Sequence, residues 1–360
     1  MTTTISPAGV TNSLTTGRLP RWAPWALLGA SWVVFVVIFA ITAASTGDEF
    51  NIAGAILLGT VVFDVLLYVI ARLVEGSRQA TNRLVTSLVA TAFIIALLPL
   101  FSLLYTVVSN GLARFDIQFF SESMRNVVGE GGGALHAIVG TLLITGAAAL
   151  ISVPVGLLTA IYLVEYGRGP LAKAITFFVD VMTGIPSIVA GLFAFAFFSL
   201  IFSDPGIRFG FGGSVALSLL MIPVVVRSSE EMLRIVPNEL REASYALGVP
   251  KWLTILKVVI PTALAGIVTG ITLAISRVIG ETAPLLIIAG FTQSMNYNLF
   301  NERMMTLPVF VYTQYANQGI PAEAYIDRAW AGALTLVVIV MLLNLIARIV
   351  AKVFSPKLGR

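Results

Sequence analysis

The sequence contains no cysteine and only one histidine, His136, among its 360 residues. Without cysteine there can be no disulfide, zinc–thiolate site, iron–sulfur cluster or cysteine nucleophile. A single histidine also argues against a metal site built from several histidines, so we expect no metal site in this chain. Charge is scarce as well, because 11% of the residues are charged, against about 25% in an average soluble protein. Such a chain lacks the charge to cover a soluble surface.

Apolar residues are abundant, at 58% of the chain, and the mean hydropathy is +0.95. A membrane-spanning helix needs about 20 consecutive apolar residues. By this rule the sequence predicts an all-α integral membrane protein with about eight transmembrane helices. The predicted spans are 23–46, 51–74, 84–109, 135–164, 173–203, 212–227, 258–290 and 331–353. The seventh is too long for a simple span and contains charge, so we expect it to tilt, break or line a pathway.

Basic residues are distributed unevenly between the loops that alternate along this pattern. With a cytoplasmic N-terminus, the loops outside the cell hold only Arg114, Arg125, Arg208, Arg303 and Arg328. Most of the remaining lysines and arginines fall on the cytoplasmic side, as the positive-inside rule requires. The sequence therefore predicts a multi-pass protein with both termini in the cytoplasm.

The spans suggest three parts of unequal size. Residues 1–22 are predicted to be a cytoplasmic tail, and residues 23–83 a transmembrane hairpin followed by a polar linker. Residues 84–355 form the predicted core, which contains the other six spans and a large cytoplasmic loop at 227–257.

The loop at 227–257 reads as two short helices joined by a tight turn. Pro237 suits the first turn of a helix, Gly248 suits its C-terminal end, and Pro250 can start the next helix. The simplest interpretation is a solvated connection between two spans, but the pattern also predicts a projecting helix–turn–helix that could contact a partner.

The spacing of residues inside this loop favours the second interpretation, a contact with a partner protein. The sequence Glu242-Ala243-Ser244, then Gly248 and finally Pro261, resembles the E-A-A-x3-G-x9-I-x-L-P signature of ABC importer permeases. Ser244 replaces the second alanine of that signature. The resemblance implies that the loop docks on a separate cytoplasmic ATPase. ATP and Mg²⁺ would then be bound by that partner, and this chain would be a transport subunit without cofactor or enzymatic activity of its own.

A charged pair lies inside the seventh predicted span. Arg277 and Glu281 are four residues apart and would share one face of a continuous helix. Charged residues inside a membrane are costly, so they predict a functional site unless they form a structural ion pair between helices. Arginine offers a planar fork that matches two oxygens of a phosphate or carboxylate. Gly280 would loosen the helix and could expose backbone amides to an anion.

Two segments carry a closer resemblance. The sequence R-x-x-G-E-T-A-P-L at 277–285 and T-G-I-P-S-I-V-A-G-L-F at 183–193 are similar to the A-type permeases (PstA) of bacterial phosphate importers. The resemblance implies a bacterial cell-membrane complex of this chain with a paralogous C-type permease, two ABC ATPase subunits and an extracytoplasmic phosphate-binding protein. It also implies a substrate pathway at Arg277, Gly280, Glu281 and Thr282. The N-terminal hairpin departs from the six-span pattern of that family.

Other polar residues leave alternatives open. Asp180, Pro186 and Ser187 in the fifth predicted span could line the pathway, although Asp180 also fits a hydrogen-bonded structural role. Another oxyanion, such as sulfate, molybdate or phosphonate, could be the substrate. A proton-coupled secondary carrier that uses Glu281 or Asp180 as a relay is an alternative of a different class, and it would work without ATP.

Overall fold

The structure, a computed structural model, describes residues 17, 19–47 and 49–354, and within them it is helical with no β-strand. The predicted tail at 1–22 lies mostly outside these residues, as does position 355. The chain divides into two compact units, Met1–Leu103 and Leu104–Arg360, and the boundary falls inside one long helix.

The first unit contains the predicted hairpin. Helix α1 is Ala23–Thr46, α2 is Ile52–Val74, and α3 is Ser77–Gly111, whose last turns belong to the second unit. Gly47, in the left-handed conformation with φ 75°, ends α1, and the side chain of Asn51 caps α2. The buried carboxylate of Asp64 accepts a hydrogen bond from Ser87 and so is satisfied between α2 and α3.

Within the described residues the second unit contains eleven α-helices besides the end of α3, and a short 3-10 helix at Leu112–Arg114. They are α4 Ile117–Ser121, α5 Leu135–Ile161, α6 Pro170–Thr183, α7 Ser187–Phe202, α8 Gly210–Ile235, α9 Asn238–Ala246, α10 Lys251–Thr254, α11 Ile260–Val278, α12 Ala283–Ile288, α13 Leu307–Ala316 and α14 Ala322–Phe354. Two π-helical segments extend this set: Tyr162–Tyr166 continues α5, and Ile255–Val259 joins α10 to α11.

Helices α5 and α8 form the centre of this unit. A Cβ atom at Gly156 of α5 would lie 2.8 Å from Cβ of Val225 in α8, so only glycine allows this approach. Nearby, the buried hydroxyl of Ser218 donates to the carbonyl of Ser214 in its own helix at 2.7 Å and lies 3.4 Å from the carbonyl of Ala148 in α5. The two helices are therefore held at close range along the core.

The number of spans agrees with the sequence analysis. Seven described helices are long and apolar enough to cross a membrane, and the pair α6 and α7, bent by 109°, gives an eighth if it is counted as one span. The all-α fold with about eight spans is therefore confirmed.

Several spans differ from their predicted bounds. Helices α3 and α14 start earlier than predicted, at Ser77 and Ala322, and the fifth predicted span is divided into α6 and α7. The predicted span 212–227 is one helix, α8, that continues to Ile235, so residues 227–235 are helical where a loop was expected. Arg227 and the charged residues after it lowered the hydropathy, and hydropathy marks the end of the apolar layer rather than the end of a helix. The predicted span 258–290 is broken, since α11 ends at Val278 and α12 starts at Ala283, and this agrees with the expectation that the segment would tilt, break or line a pathway.

Candidate functional site

A cavity of about 270 Å³ lies where both broken spans are interrupted. It brings together Arg277, Glu281, Pro186 and Ser187, which the sequence analysis had selected from separate segments. The full lining is Met182, Thr183, Ile185, Pro186, Ser187, Leu220, Pro223, Val224, Arg277 and Glu281. One side of the cavity is thus the α6–α7 break, another is α8, and a third is the α11–α12 break.

The α6–α7 break follows from its sequence. Pro186 disfavours the helical conformation in the residue before it and cannot donate the backbone hydrogen bond that a continuous helix needs. The chain leaves α6 after Thr183 and restarts at Ser187 with a 109° bend. Non-helical backbone at membrane depth is tolerated where it is buried in protein or lines a water-filled cavity. This break does line a cavity.

The α11–α12 break changes the relation between the two charged residues. Arg277 is in the last turn of α11, whereas Glu281 lies in the turn between the helices, where its backbone N–H donates to the carbonyl of Val278 at 3.1 Å. The expectation that both side chains share one face of a continuous helix was therefore wrong. Gly280 lies in the break, and Pro284 in the first turn of α12 fixes where the helix restarts.

Neither charge of the cavity is neutralised locally. Among the residues that the structure describes, the side chains of Arg277 and Glu281 form no ion pair with each other or with any other group, and they form no hydrogen bond. The Arg277 side chain is exposed and Glu281 is half-buried. Arg277 thus presents its N–H donors to the cavity region without a protein acceptor.

The remaining candidates of this region lie beside the cavity. Gly280 and Thr282 flank Glu281 but are not part of the lining. Asp180, one turn before Thr183, pairs with Arg227 of α8. Arg227 also pairs with Glu230 at 2.9 Å, so it is held between two carboxylates.

Sequence reasoning missed Arg227 as a partner of Asp180, since it placed Arg227 in a loop. No local sequence signal identifies this pair, because Asp180 and Arg227 are 47 positions apart and meet only in the folded chain.

The second set of candidates lies in a helical hairpin at residues 238–254, which consists of α9, α10 and the turn between them. It is distinct from the transmembrane hairpin of the first unit. Helix α9 ends before Gly248, whose φ of 75° requires glycine, and α10 starts after Pro250. The hydroxyl groups of Ser244 and Thr254 are 2.8 Å apart and buried, so the serine at this position joins the two helices. Glu242 and Ala243 are exposed.

The tip of this hairpin is apolar and uncovered. Leu247 beside the turn is 83% exposed and Trp252 on α10 is 61% exposed. From the hairpin the chain runs through the π-helical segment into Pro261 at the start of α11. The span from Lys251 to Val278 therefore connects the tip directly to Arg277.

No cluster of three or more potential metal-ligating side chains occurs among the described residues.

Comparison with known proteins gives a family match over much of the chain. The model of the family described as "Binding-protein-dependent transport system inner membrane component" matches residues 152–360. This range includes the α6–α7 break, the hairpin and the α11–α12 break.

Curated relatives cover more of the chain. The phosphate transport system permease protein PstA 1 of Mycobacterium tuberculosis is 48% identical over 277 residues, which are 76% of this chain and 89% of that protein. The phosphate transport system permease protein PstA of Haemophilus influenzae is 40% identical over 273 residues, which are 76% of this chain and 94% of that protein. The resemblance carried by residues 183–193 and 277–285 is confirmed by these relatives.

A solved structure shares the fold. The crystal structure of a bacterial alginate ABC transporter, in complex with an alginate pentasaccharide-bound periplasmic protein, contains a chain that is 15% identical. The match covers 77% of this chain and 96% of that chain with a TM-score of 0.51. At this level of identity the likeness extends to the helical architecture alone.

Proposed function

This chain belongs to the family of binding-protein-dependent transport system inner membrane components, and on that premise we propose that it is the permease subunit of an ATP-driven ABC importer of inorganic phosphate. The observation that carries the proposal is the unpaired guanidinium of Arg277 in a cavity between two broken spans. The PstA relatives are named for phosphate transport, which supports phosphate as the anion.

Arg277 suits an oxyanion for a specific chemical reason. Its guanidinium can donate two parallel hydrogen bonds to two oxygens of one phosphate group. An arginine within a span costs about 2.5–3.5 kcal/mol on insertion scales, so an arginine at such a position is by default a candidate for a functional site. Phosphate would provide the acceptor that the described residues do not.

Glu281 would keep this site weak. Its carboxylate lines the same cavity and would repel a phosphate anion that approaches Arg277. A site on a transport pathway must bind well enough to accept the ion and weakly enough to release it. We therefore assign Arg277 to transient binding, with Glu281 limiting the lifetime of the bound state, and we place Gly280 and Thr282 in the turn that positions Glu281.

Energy would enter through the helical hairpin. We assign the exposed face around Glu242, Ala243 and Gly248 to docking on an ABC ATPase, which would bind ATP and Mg²⁺. Because Lys251–Val278 forms one connected span, displacement of the tip could move Arg277 as part of a rigid element. The chain itself would carry out transport and no ATP hydrolysis.

The assembly would contain more than this chain. We propose a paralogous C-type permease, two ATPase subunits and an extracytoplasmic phosphate-binding protein as partners, in the cell membrane of a bacterium with both termini of this chain cytoplasmic. Residues 84–355 would be the permease core, and the hairpin at 23–83 an addition to it.

The proposal is tested by uptake of radiolabelled phosphate in cells that lack this chain. The cells are complemented with the wild type, with Arg277→Gln, or with Arg125→Gln as a control, since Arg125 is an exposed arginine outside the cavity. We expect uptake with the wild type and the control, no uptake with Arg277→Gln, and equal amounts of all three chains in the membrane.

Two further conditions separate the function classes. Excess sulfate or molybdate should leave phosphate uptake unchanged, whereas ATP depletion should stop it. Normal uptake by Arg277→Gln would refute the site. Uptake that survives ATP depletion but is lost with the proton gradient would refute the ABC importer and indicate a secondary carrier.

A further inference from the structure

A buried ion pair fastens the hairpin to a different part of the core. Glu165, in the π-helical segment that continues α5, accepts from Arg241 of α9 with a nitrogen–oxygen distance of 2.9 Å. The side chains of Glu165 and Arg241 are 5% and 12% exposed. The two residues are separated by 76 positions in the sequence, so the contact is a tertiary link rather than a feature of the loop itself.

Arg241 also binds the end of α8. Its guanidinium donates to the carbonyl of Val236 at 2.6 Å and to the carbonyl of Leu233 at 3.0 Å. One side chain therefore joins α9 to the C-terminal end of α8 and, through Glu165, to the end of α5. Because all three contacts come from a planar group with fixed geometry, α9 cannot move relative to these ends without breaking them.

Lys251 strengthens the same junction. Its ammonium group donates to the backbone carbonyl of Glu165 and lies 4.8 Å from the centre of the Tyr166 ring. Since Lys251 starts α10, both arms of the hairpin are attached to the end of α5. The hairpin is thus attached through both arms, on α9 at Arg241 and beside the turn at Lys251, while the Leu247 side chain at the tip remains exposed.

The attached helices lead to the cavity. Helix α5 packs closely on α8 at Gly156 and Val225, and α8 contributes Leu220, Pro223 and Val224 to the cavity wall. A second path runs through α11, which ends at Arg277 and packs closely on α8 where Gly270 faces Ser228. A displacement of the hairpin would therefore reach two walls of the cavity, one through α8 and one through α11.

A buried ion pair is weak evidence for stability, because desolvation of both charges offsets most of their attraction. The fixed geometry of the Glu165–Arg241 pair matters more, because a rigid link between two segments can transmit movement from one to the other. We infer that Glu165 and Arg241 are positioning residues for transport, which transmit the movement of the ATPase-docking hairpin to α5 and α8, so that the α8 wall of the cavity moves together with the wall that carries Arg277. This inference rests on the proposed function.

The test uses the whole transporter, with its ATPase and phosphate-binding protein, reconstituted in proteoliposomes. Three chains are compared with the wild type: Glu165→Ala, Glu165→Gln and Arg234→Gln. Arg234→Gln is the control, since it breaks an ion pair with Glu230 on the same end of α8 while Arg234 is 65% exposed. The measurements are ATPase co-purification, ATP hydrolysis, and phosphate transported per ATP hydrolysed.

For Glu165→Ala we expect the ATPase to co-purify in the wild-type ratio and to hydrolyse ATP. Phosphate transported per ATP should fall by at least about fivefold, the lower end of typical coupling between two sites. Glu165→Gln keeps an acceptor oxygen for Arg241 and should give an intermediate ratio. The control should match the wild type.

Other outcomes contradict the inference in distinct ways. An unchanged ratio in both Glu165 variants would show that the pair transmits nothing. Loss of ATPase co-purification in both Glu165 variants would show that the pair only shapes the docking surface. If Glu165→Ala alone fails to assemble, a wild-type ratio in Glu165→Gln overturns the inference and a reduced ratio supports it. Absence of ATP-dependent uptake by the wild type would instead contradict the proposed function.

Discussion

The contact between α7 and α12 gives a prediction whose size can be worked out from the structure. Gly191 of α7 is buried against Pro284, the residue that fixes the restart of the chain beside Glu281. A Cβ atom at position 191 would lie 2.5 Å from Cα of Pro284 and 3.0 Å from its carbonyl oxygen. Carbon atoms normally approach to about 3.5–4.0 Å. Gly191→Ala therefore requires α12 to move away from α7 by about 1 Å or more.

The energetic consequence has two opposing parts. Overpacking a close contact typically costs about 1–3 kcal/mol, and the cost should be near the upper end because the clash is with backbone. Replacing glycine by alanine inside a helix recovers about 1 kcal/mol. Gly146→Ala isolates the second part, since Gly146 also lies inside a helix and no atom lies within 4 Å of its added Cβ. The two variants should thus differ by about 1–3 kcal/mol in stability.

Thermal unfolding of the purified chain in detergent measures this difference. We expect Gly146→Ala to unfold at or above the wild-type temperature and Gly191→Ala to unfold several degrees below it, since about 1 kcal/mol corresponds to roughly 2–4 °C in domains of 150–250 residues. Phosphate uptake should fall in Gly191→Ala alone, because the shift moves Glu281 relative to Ser187 across the cavity. Equal unfolding temperatures and equal uptake in the two variants would refute the reasoning.

Two other substitutions test the hairpin and the edge of the cavity. Gly248→Asp places a charged side chain at a position with φ 75° in the docking turn, so we expect the ATPase to be lost on co-purification while the chain stays in the membrane; retained ATPase would count against this docking surface. Asp180→Asn leaves Arg227 paired with Glu230, and exposed ion pairs contribute about 0–1 kcal/mol, so stability and uptake should change little. Loss of uptake as complete as in Arg277→Gln would place Asp180 in the pathway itself.

Features of the fold that depend on local composition could be predicted from the sequence alone. The bounds of α1 and α2 agree with the predicted hairpin because long apolar runs end at polar residues such as Asn51. The turn at Gly248 and the restart after Pro250 also followed from local rules, since glycine and proline restrict or permit particular backbone angles.

Features that depend on contacts between distant segments could not be predicted. The length and charge of the seventh predicted span indicated that it could break, but the position of the break was not predicted. The helical-face relation of Arg277 and Glu281 failed because α11 ends at Val278, between the two residues. The pair Glu165–Arg241 joins two segments far apart in the sequence, so only the folded chain reveals it. The π-helical segments likewise carry no sequence pattern that local rules recognise.

The exposure of the cavity rim has a genetic consequence. Ile185 and Pro186 line the cavity yet are exposed on this chain. Because a pathway for an anion cannot open into lipid, we expect the second permease of the proposed assembly, the product of another gene, to cover this rim. An allele that harms transport by changing this rim alters a surface shared by two gene products. Suppressors of such alleles are therefore expected in the gene for the second permease, and the two genes should accept changes at this boundary only in matched pairs.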